Sequence, residues 1–270
     1  MSIPYFKKFS GFIWLIFCSF QMSCSPIDNP INNHNDQISY TYNVTAVYPH
    51  DANAQTEGLE FADGYLYEGT GPNIDSGSSL RRIDLETGAI LQIHILDDPY
   101  FGEGITKIND LIYQITYQAR QGFIYDAESF EQVGTFTYET EGWGLTNNGH
   151  QLIMSTGSNK VIFIDPVSFN ITRVIDVWDS NGPISRLNEL EYIDGYIYAN
   201  IFNTDKIVRF HESTGDIAET IFLSKLISNY FEREGDILRA NGIAFNSNNG
   251  RLFITGKYWP LVIELTRTEN

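Results

Sequence analysis

Asn188-Glu-Leu-Glu-Tyr-Ile-Asp-Gly-Tyr-Ile-Tyr198 decides the fold, because the chain writes the same phrase five times. The other copies begin at Glu57-Gly-Leu-Glu-Phe, Glu103-Gly-Ile-Thr-Lys, Trp143-Gly-Leu-Thr and Asn241-Gly-Ile-Ala-Phe. In each, a lead residue precedes a short strand, a turn and a second strand such as Gly64-Tyr-Leu-Tyr67 or Gly250-Arg-Leu-Phe253. The lead residues are 46, 40, 45 and 53 positions apart. Short strands and turns at this period spell the blades of a propeller. A propeller carries equivalent positions to one axis, so Glu57, Glu103, Trp143, Asn188 and Asn241 are expected to ring a single site.

The rest of each repeat supplies two more strands. A third ends in an Ile-Asp-type turn, as in Leu80–Gly88, Gly122–Asp126, Lys160–Asp165 and Lys206–His211. A fourth follows at Ile90–Leu96, Glu131–Tyr138, Asn170–Val177 and Asp216–Leu223. β-Branched and aromatic residues alternate along these runs, with Gly, Asn or Asp at the turns. The fifth repeat lacks its last strand, and Ser39–Tyr48 at the other end of the chain can provide it. We therefore expect an all-β chain: one five-bladed β-propeller over residues 39–270, closed by pairing the N-terminal strand with the last blade. A helical insertion is expected at Leu223–Leu238.

The first 23 residues read as an export signal of the lipoprotein type. Lys7 and Lys8 precede the apolar run Phe12–Phe20, too short to remain as a membrane span. Met22-Ser23-Cys24 resembles a lipoprotein cleavage site, with Cys24 as the lipid-bearing residue, although Gln21 stands where an aliphatic residue is usual. Residues 24–38, rich in Asn, Pro and Asp, then form a flexible tether. These features imply an exported, periplasmic-side protein held to a membrane through Cys24; plain secretion is the alternative. Cys18 leaves with the signal, so the mature chain has no disulfide and no Cys for catalysis.

The net charge of −17 becomes about −19 once Lys7 and Lys8 are removed, which argues against nucleic acid as a partner. The five histidines are scattered without metal-ligand spacing, so no metal and no cofactor are expected. No Gly-x-Ser-x-Gly elbow is present, and Gly69-Thr-Gly71 lacks the Lys and helix of a phosphate loop. The second strand of each repeat ends near Gly71, Tyr117, Gly157, Phe202 and Lys257, on the same face as the lead residues. A carboxylate, an ammonium, an amide and several aromatics then share one mouth, as a small-ligand site with proton-transfer capability requires.

With these residues in view, the chain resembles the plant-type, metal-independent glutaminyl cyclases (glutaminyl-peptide cyclotransferases), which also occur in bacteria. The resemblance is carried by Tyr67-Glu-Gly-Thr-Gly71, Tyr100-Phe-Gly-Glu-Gly104, Gly142-Trp-Gly-Leu145, Arg186-Leu-Asn-Glu-Leu-Glu-Tyr192 and Thr255-Gly-Lys-Tyr-Trp-Pro260. It implies conversion of an N-terminal Gln of peptides or proteins to pyroglutamate with release of ammonia. By matching position, Glu103 is implied as the catalytic proton shuttle. Lys257 is implied as a residue that stabilises the oxyanion or tunes Glu103, and Asn188 as the amide that holds the substrate carboxamide. Trp143 and Phe101 are implied as apolar contacts. Gln55 and Glu57 stand where the family has Phe and Gln, and Tyr117 and Phe202 where it has Trp. Those departures keep open a non-catalytic propeller that binds peptides at the same place. For single residues the structural alternatives are a buried Glu103–Lys257 ion pair, core filling by Trp143 and turn capping by Asn188.

Overall fold

The computed structural model describes residues 1–2, 39–73 and 76–270. The export signal, Cys24 and the tether to residue 38 lie outside the described residues, apart from positions 1 and 2. The chain divides into two units, 1–36 and 37–270, and the architecture below is that of the second.

Five four-stranded antiparallel sheets follow one another as blades I to V. Their innermost strands are Gln55–Ala62, Gly102–Ile108, Leu145–Asn147, Leu187–Ile193 and Ala240–Asn246. These strands touch in ring order, with that of blade V against that of blade I. Blade V takes its outermost strand, Tyr40–Pro49, from the other end of the chain, and it pairs with Leu261–Glu269 from Tyr40↔Glu269 to Pro49↔Leu261. The expected closure is present, one residue further along than the sequence suggests.

The core has five parts, one for each seam between blades. Leu80, Ile105, Ile112 and Tyr125 fill the seam of blades I and II. Leu145, Leu152, Tyr113 and Phe136 fill the next. Phe163, Leu190, Ile197 and Phe210 fill the third, and Tyr198, Ile207, Ile243 and Trp259 the fourth. Leu59, Leu66, Ala244 and Phe253 close the ring. Each blade thus buries both faces against neighbours, and the repeated apolar alternation of the sequence is the imprint of this packing.

The Ile-Asp endings have a local cause. Asp84, Asp126 and Asp165 each accept the backbone N–H three residues on, at 2.9, 2.8 and 2.7 Å, closing the turn into the outermost strand. In blade IV His211 takes the same place, with its Nδ1 accepting from Ser213 N at 3.2 Å.

The expected helix at 223–238 is broken into three short pieces, Ser224–Ile227, Ser228–Tyr230 and Glu234–Ile237. Phe231 between them is extended (φ −128°, ψ 138°) and its ring packs on Trp259 at 4.5 Å, so tertiary packing overrides helical continuation.

Candidate active site

The lead residue of a blade occupies an irregularity in its innermost strand. The register against the second strand shifts between Thr56 and Gly58, between Gly102 and Ile105, between Leu187 and Leu190, and between Ala240 and Ile243. A bulge re-aims the side chain it carries. Here it gives Glu57, Glu103, Asn188 and Asn241 directions different from the strict in-and-out alternation of the strand. In blade III the strand is irregular before Leu145, where Trp143 N donates to Ser155 O at 3.1 Å.

The glycine after the lead residue lets neighbouring blades approach. A Cβ on Gly58 would stand 2.6 Å from Ile105 N, one on Gly104 2.3 Å from Leu145 N, and one on Gly144 2.1 Å from Asn188 O. Blade IV breaks this rule with Glu189. Its carboxylate accepts Leu59 N at 3.1 Å and Ile243 N at 2.8 Å, so a buried side chain replaces direct backbone contact near the axis.

Gln55, Glu57, Phe101, Glu103, Tyr117, Trp143, Asn188, Phe202 and Lys257 line one cavity of about 420 Å³. Nine of the ten side chains that the sequence nominates meet here, from all five blades or their connecting segments; Asn241, the fifth lead residue, is not in the lining. The volume is that of a small-ligand site.

Aromatic rings form a continuous wall. Phe101 meets Tyr117 at 6.0 Å between centroids, Tyr117 meets Trp143 at 6.2 Å, and Trp143 meets Phe202 at 5.5 Å, each edge to face. Lys257 Nζ closes the series 5.5 Å from the Phe202 ring. Two second-strand glycines seat the wall: Gly71 lies under Phe101 and Gly157 under Trp143. Trp143 is therefore a wall residue held at the cavity, and its indole N–H donates to Glu141 at 3.2 Å.

On the polar side, the ion pair that forms is not the structural alternative between Glu103 and Lys257. Lys257 pairs with Glu57, not with Glu103. Its ammonium lies 2.6 Å from Glu57 Oε2 and 2.7 Å from Oε1. Gln55 Nε2 donates to Glu57 at 3.1 Å and Asn241 Nδ2 at 3.2 Å. Glu57 is thus the carboxyl around which one wall is organised; burial raises its pKa, and Lys257 and Gln55 oppose that rise.

Glu103, also buried, lines the cavity beside Glu57. Burial first, and then the Glu57 charge, push its carboxyl well above the ordinary carboxylate range, with Lys257 opposing. Asn188 is buried and its Oδ1 has no hydrogen-bond partner in the protein. It does not cap a turn through that atom; an unsatisfied amide oxygen beside a cavity is available to a ligand.

Sequence reasoning undervalued three neighbours. Asn241 stands in the lead ring but serves as the clamp on Glu57. Tyr258 donates to Gln55 Oε1 at 3.0 Å, and Glu141 orients the Trp143 indole. Asn241 carried a signal, its place in the repeat; Tyr258 and Glu141 carried none. Among the described residues no group of three His, Cys, Asp or Glu side chains is arranged to hold a metal ion.

The fold and this cavity can be set beside known proteins. The family model described as glutamine cyclotransferase matches residues 16–266. The chain belongs to the glutamine cyclotransferase family. A glutaminyl-peptide cyclotransferase of Arabidopsis thaliana is 34% identical over 274 residues, covering 98% of this chain and 82% of that protein. The crystal structure of Myxococcus xanthus glutaminyl cyclase matches with a TM-score of 0.77 at 28% identity, over 86% of this chain and 99% of that one. Membership in this family agrees with the propeller and with the cavity at its axis.

Proposed function

We propose that the protein is a glutaminyl-peptide cyclotransferase, converting an N-terminal Gln of peptides or proteins to pyroglutamate and releasing ammonia. The observation that carries this reading is the single cavity uniting a buried carboxyl, a buried amide and an aromatic wall in a chain of the glutamine cyclotransferase family.

The reaction needs little from the protein beyond position and a proton. The substrate α-amine attacks its own side-chain Cδ, the new N–Cδ bond closes a five-membered ring, and the Cδ–Nε bond breaks. One proton must pass from the amine nitrogen to the departing one. Glu103 is the group that moves it, and general acid–base transfer of this kind contributes roughly 10²–10⁴-fold. The Trp143, Tyr117 and Phe202 rings press the flexible Gln side chain into its cyclic shape, which turns a rare encounter into a held geometry. Asn188 receives the carboxamide through its free Oδ1, and Lys257 adds positive charge where the oxyanion develops.

We further propose that the chain is exported and anchored to a membrane through lipid on Cys24. The support is the basic, apolar and Ser-Cys order of residues 7–24. Labelling with a fatty-acid analogue in a bacterial host tests it: label on the wild type and none on Cys24→Ala is expected. Equal labelling of both would remove Cys24 from this role.

The activity is tested by incubating residues 39–270 with a Gln-initiated dipeptide and following ammonia. Release well above the spontaneous rate is expected, with a loss of about 10²-fold or more in Glu103→Gln. Ammonia no faster than in buffer would instead support a propeller that only binds peptides.

A further inference from the structure

Glu57 has a buried carboxylate that the cyclisation as outlined does not use, although the cavity wall is organised around it. Three donors converge on its two oxygens, from Lys257, Gln55 and Asn241. Glu103 is buried beside Glu57 in the same cavity wall, and Glu103 Oε2 is buried without any donor from the protein. Two carboxyl groups side by side away from water share a proton or they repel. Burial raises the pKa of both carboxyls, and Lys257 favours Glu57 as the one that keeps the charge, because its ammonium lies on both oxygens of Glu57 and forms no ion pair with Glu103.

We propose that Glu57 and Glu103 form a one-proton carboxylate dyad in which Lys257 holds Glu57 as the anion, so that Glu103 enters the reaction as the acid. The inference rests on the cyclotransferase reading above and gives Glu57 the part of a positioning residue that acts through Glu103.

The charge count of the site supports it. Anionic Glu57, cationic Lys257 and neutral Glu103 sum to zero, and a neutral cavity suits the uncharged amine, the only nucleophilic form of the substrate. An ionised Glu103 would leave an excess negative charge that retains the amine as its unreactive ammonium. The groups facing Glu103 point the same way. Glu57 and Glu141 both oppose its ionisation, Lys257 favours it, and Tyr138 faces it as a neutral phenol.

The proton traffic balances. The amine lone pair forms the N–Cδ bond and the carbonyl electrons move to oxygen. Glu103 then gives its proton to the carboxamide nitrogen, which leaves as ammonia as the carbonyl re-forms. The Glu103 carboxylate, destabilised by Glu57 beside it, takes the surplus proton from the ring nitrogen. The dyad ends with the single proton it began with.

Two variants move the dyad in opposite directions. In Glu57→Gln the neighbouring charge is gone and Lys257 is free to turn to Glu103, so the enzyme-derived limb of the kcat/KM–pH profile should shift to lower pH by at least about one unit, a tenfold change in proton affinity. In Lys257→Met the clamp is lost, and the same limb should shift to higher pH. Infrared difference spectra with isotope-labelled Glu, taken near pH 7, read the proton without turnover. A protonated-carboxyl band absent from Glu103→Gln should also vanish in Glu57→Gln. Persistence of that band in Glu57→Gln, or limbs that do not move in opposite directions, overturns the dyad. A wild type that releases no ammonia overturns the cyclotransferase reading instead, and the infrared band still judges the dyad.

Discussion

The backbone oxygen of Asn188 lies 2.1 Å from where a methyl group on Gly144 would stand, so blades III and IV meet there with no room for a side chain. Ser155 bridges the same contact: Gly144 N donates to its hydroxyl at 2.7 Å, and the hydroxyl donates to Asn188 O at 2.7 Å. The two residues flanking this junction, Trp143 and Asn188, both line the cavity. Gly144→Ala must push the inner strands apart and is expected to cost about 1–3 kcal/mol or more. Urea unfolding measures the loss; an unchanged midpoint would mean that the ring is looser than this contact implies. Activity should fall more than stability alone explains, since the displaced strands carry two cavity residues.

Trp143 should matter by position as much as by surface. Trp143→Ala removes the centre of the aromatic wall and is expected to lower kcat/KM for a Gln-initiated dipeptide by roughly 10–100-fold, consistent with loss of about 1.5–3 kcal/mol of apolar contact. Gly157→Ala keeps the indole but moves it, because the added Cβ would sit 2.4 Å from Trp143 Cε2. Its backbone is also left-handed there (φ +71°), a further strain for alanine. Steady-state kinetics on both variants should show KM rising in each. A Gly157→Ala enzyme with wild-type KM would show that the ring need not rest where it does.

Repeat spacing made the blades and the ring of lead residues legible, because each blade needs the same strand, turn and seam. The lead positions could be aligned on one axis without coordinates, and they include Glu103, Asn188 and Trp143. Partner choice was not legible. Whether Lys257 reaches Glu57 or Glu103 depends on the bulge at each lead residue and on Asn241 arriving from blade V, and no repeat pattern encodes those. The broken helix at 224–237 was hidden for a similar reason: its interruption follows from Phe231 packing on Trp259, a contact made outside the segment itself.

The closing seam depends on a buried charge network. Glu68 lies 2.9 Å from His50 Nε2 and 3.5 Å from Arg81 Nη1, and Arg81 also reaches Asp51 at 3.0 Å. His50 in turn holds the turn before the last strand, through Nδ1 to Trp259 O at 2.7 Å. Burial disfavours the His50 imidazolium, but the Glu68 carboxylate outweighs it and raises the His50 pKa; burial also opposes ionisation of Glu68, which His50 and Arg81 overcome, holding it low. Removing the shared anion leaves Arg81 with Asp51 and lets burial return His50 to its neutral form, while both lose a buried acceptor, so Glu68→Gln is expected to cost about 1–3 kcal/mol. Thermal unfolding provides the measurement. A melting temperature equal to wild type would show that the network adds nothing to closure.

Glu60 predicts an unusual pH dependence of stability. Its carboxylate accepts Lys107 N at 2.7 Å, but burial dominates and lifts its pKa from 4.5 to about 7. A folded-state pKa above the unfolded one means that the native protein binds the extra proton. The contribution to stability is therefore full below pH 4.5 and is lost as pH rises toward 7. Asp63 adds to the rise and Lys107 opposes it; Glu191 is itself pushed up by burial and by Glu60. Glu60→Gln keeps an acceptor for Lys107 N and removes the charge. It should equal wild type near pH 4 and exceed it near pH 8 by about 1–3 kcal/mol, allowing for the partial exposure of the site. Urea unfolding at the two pH values decides the matter, because an advantage that is the same at both would trace to packing and not to the proton.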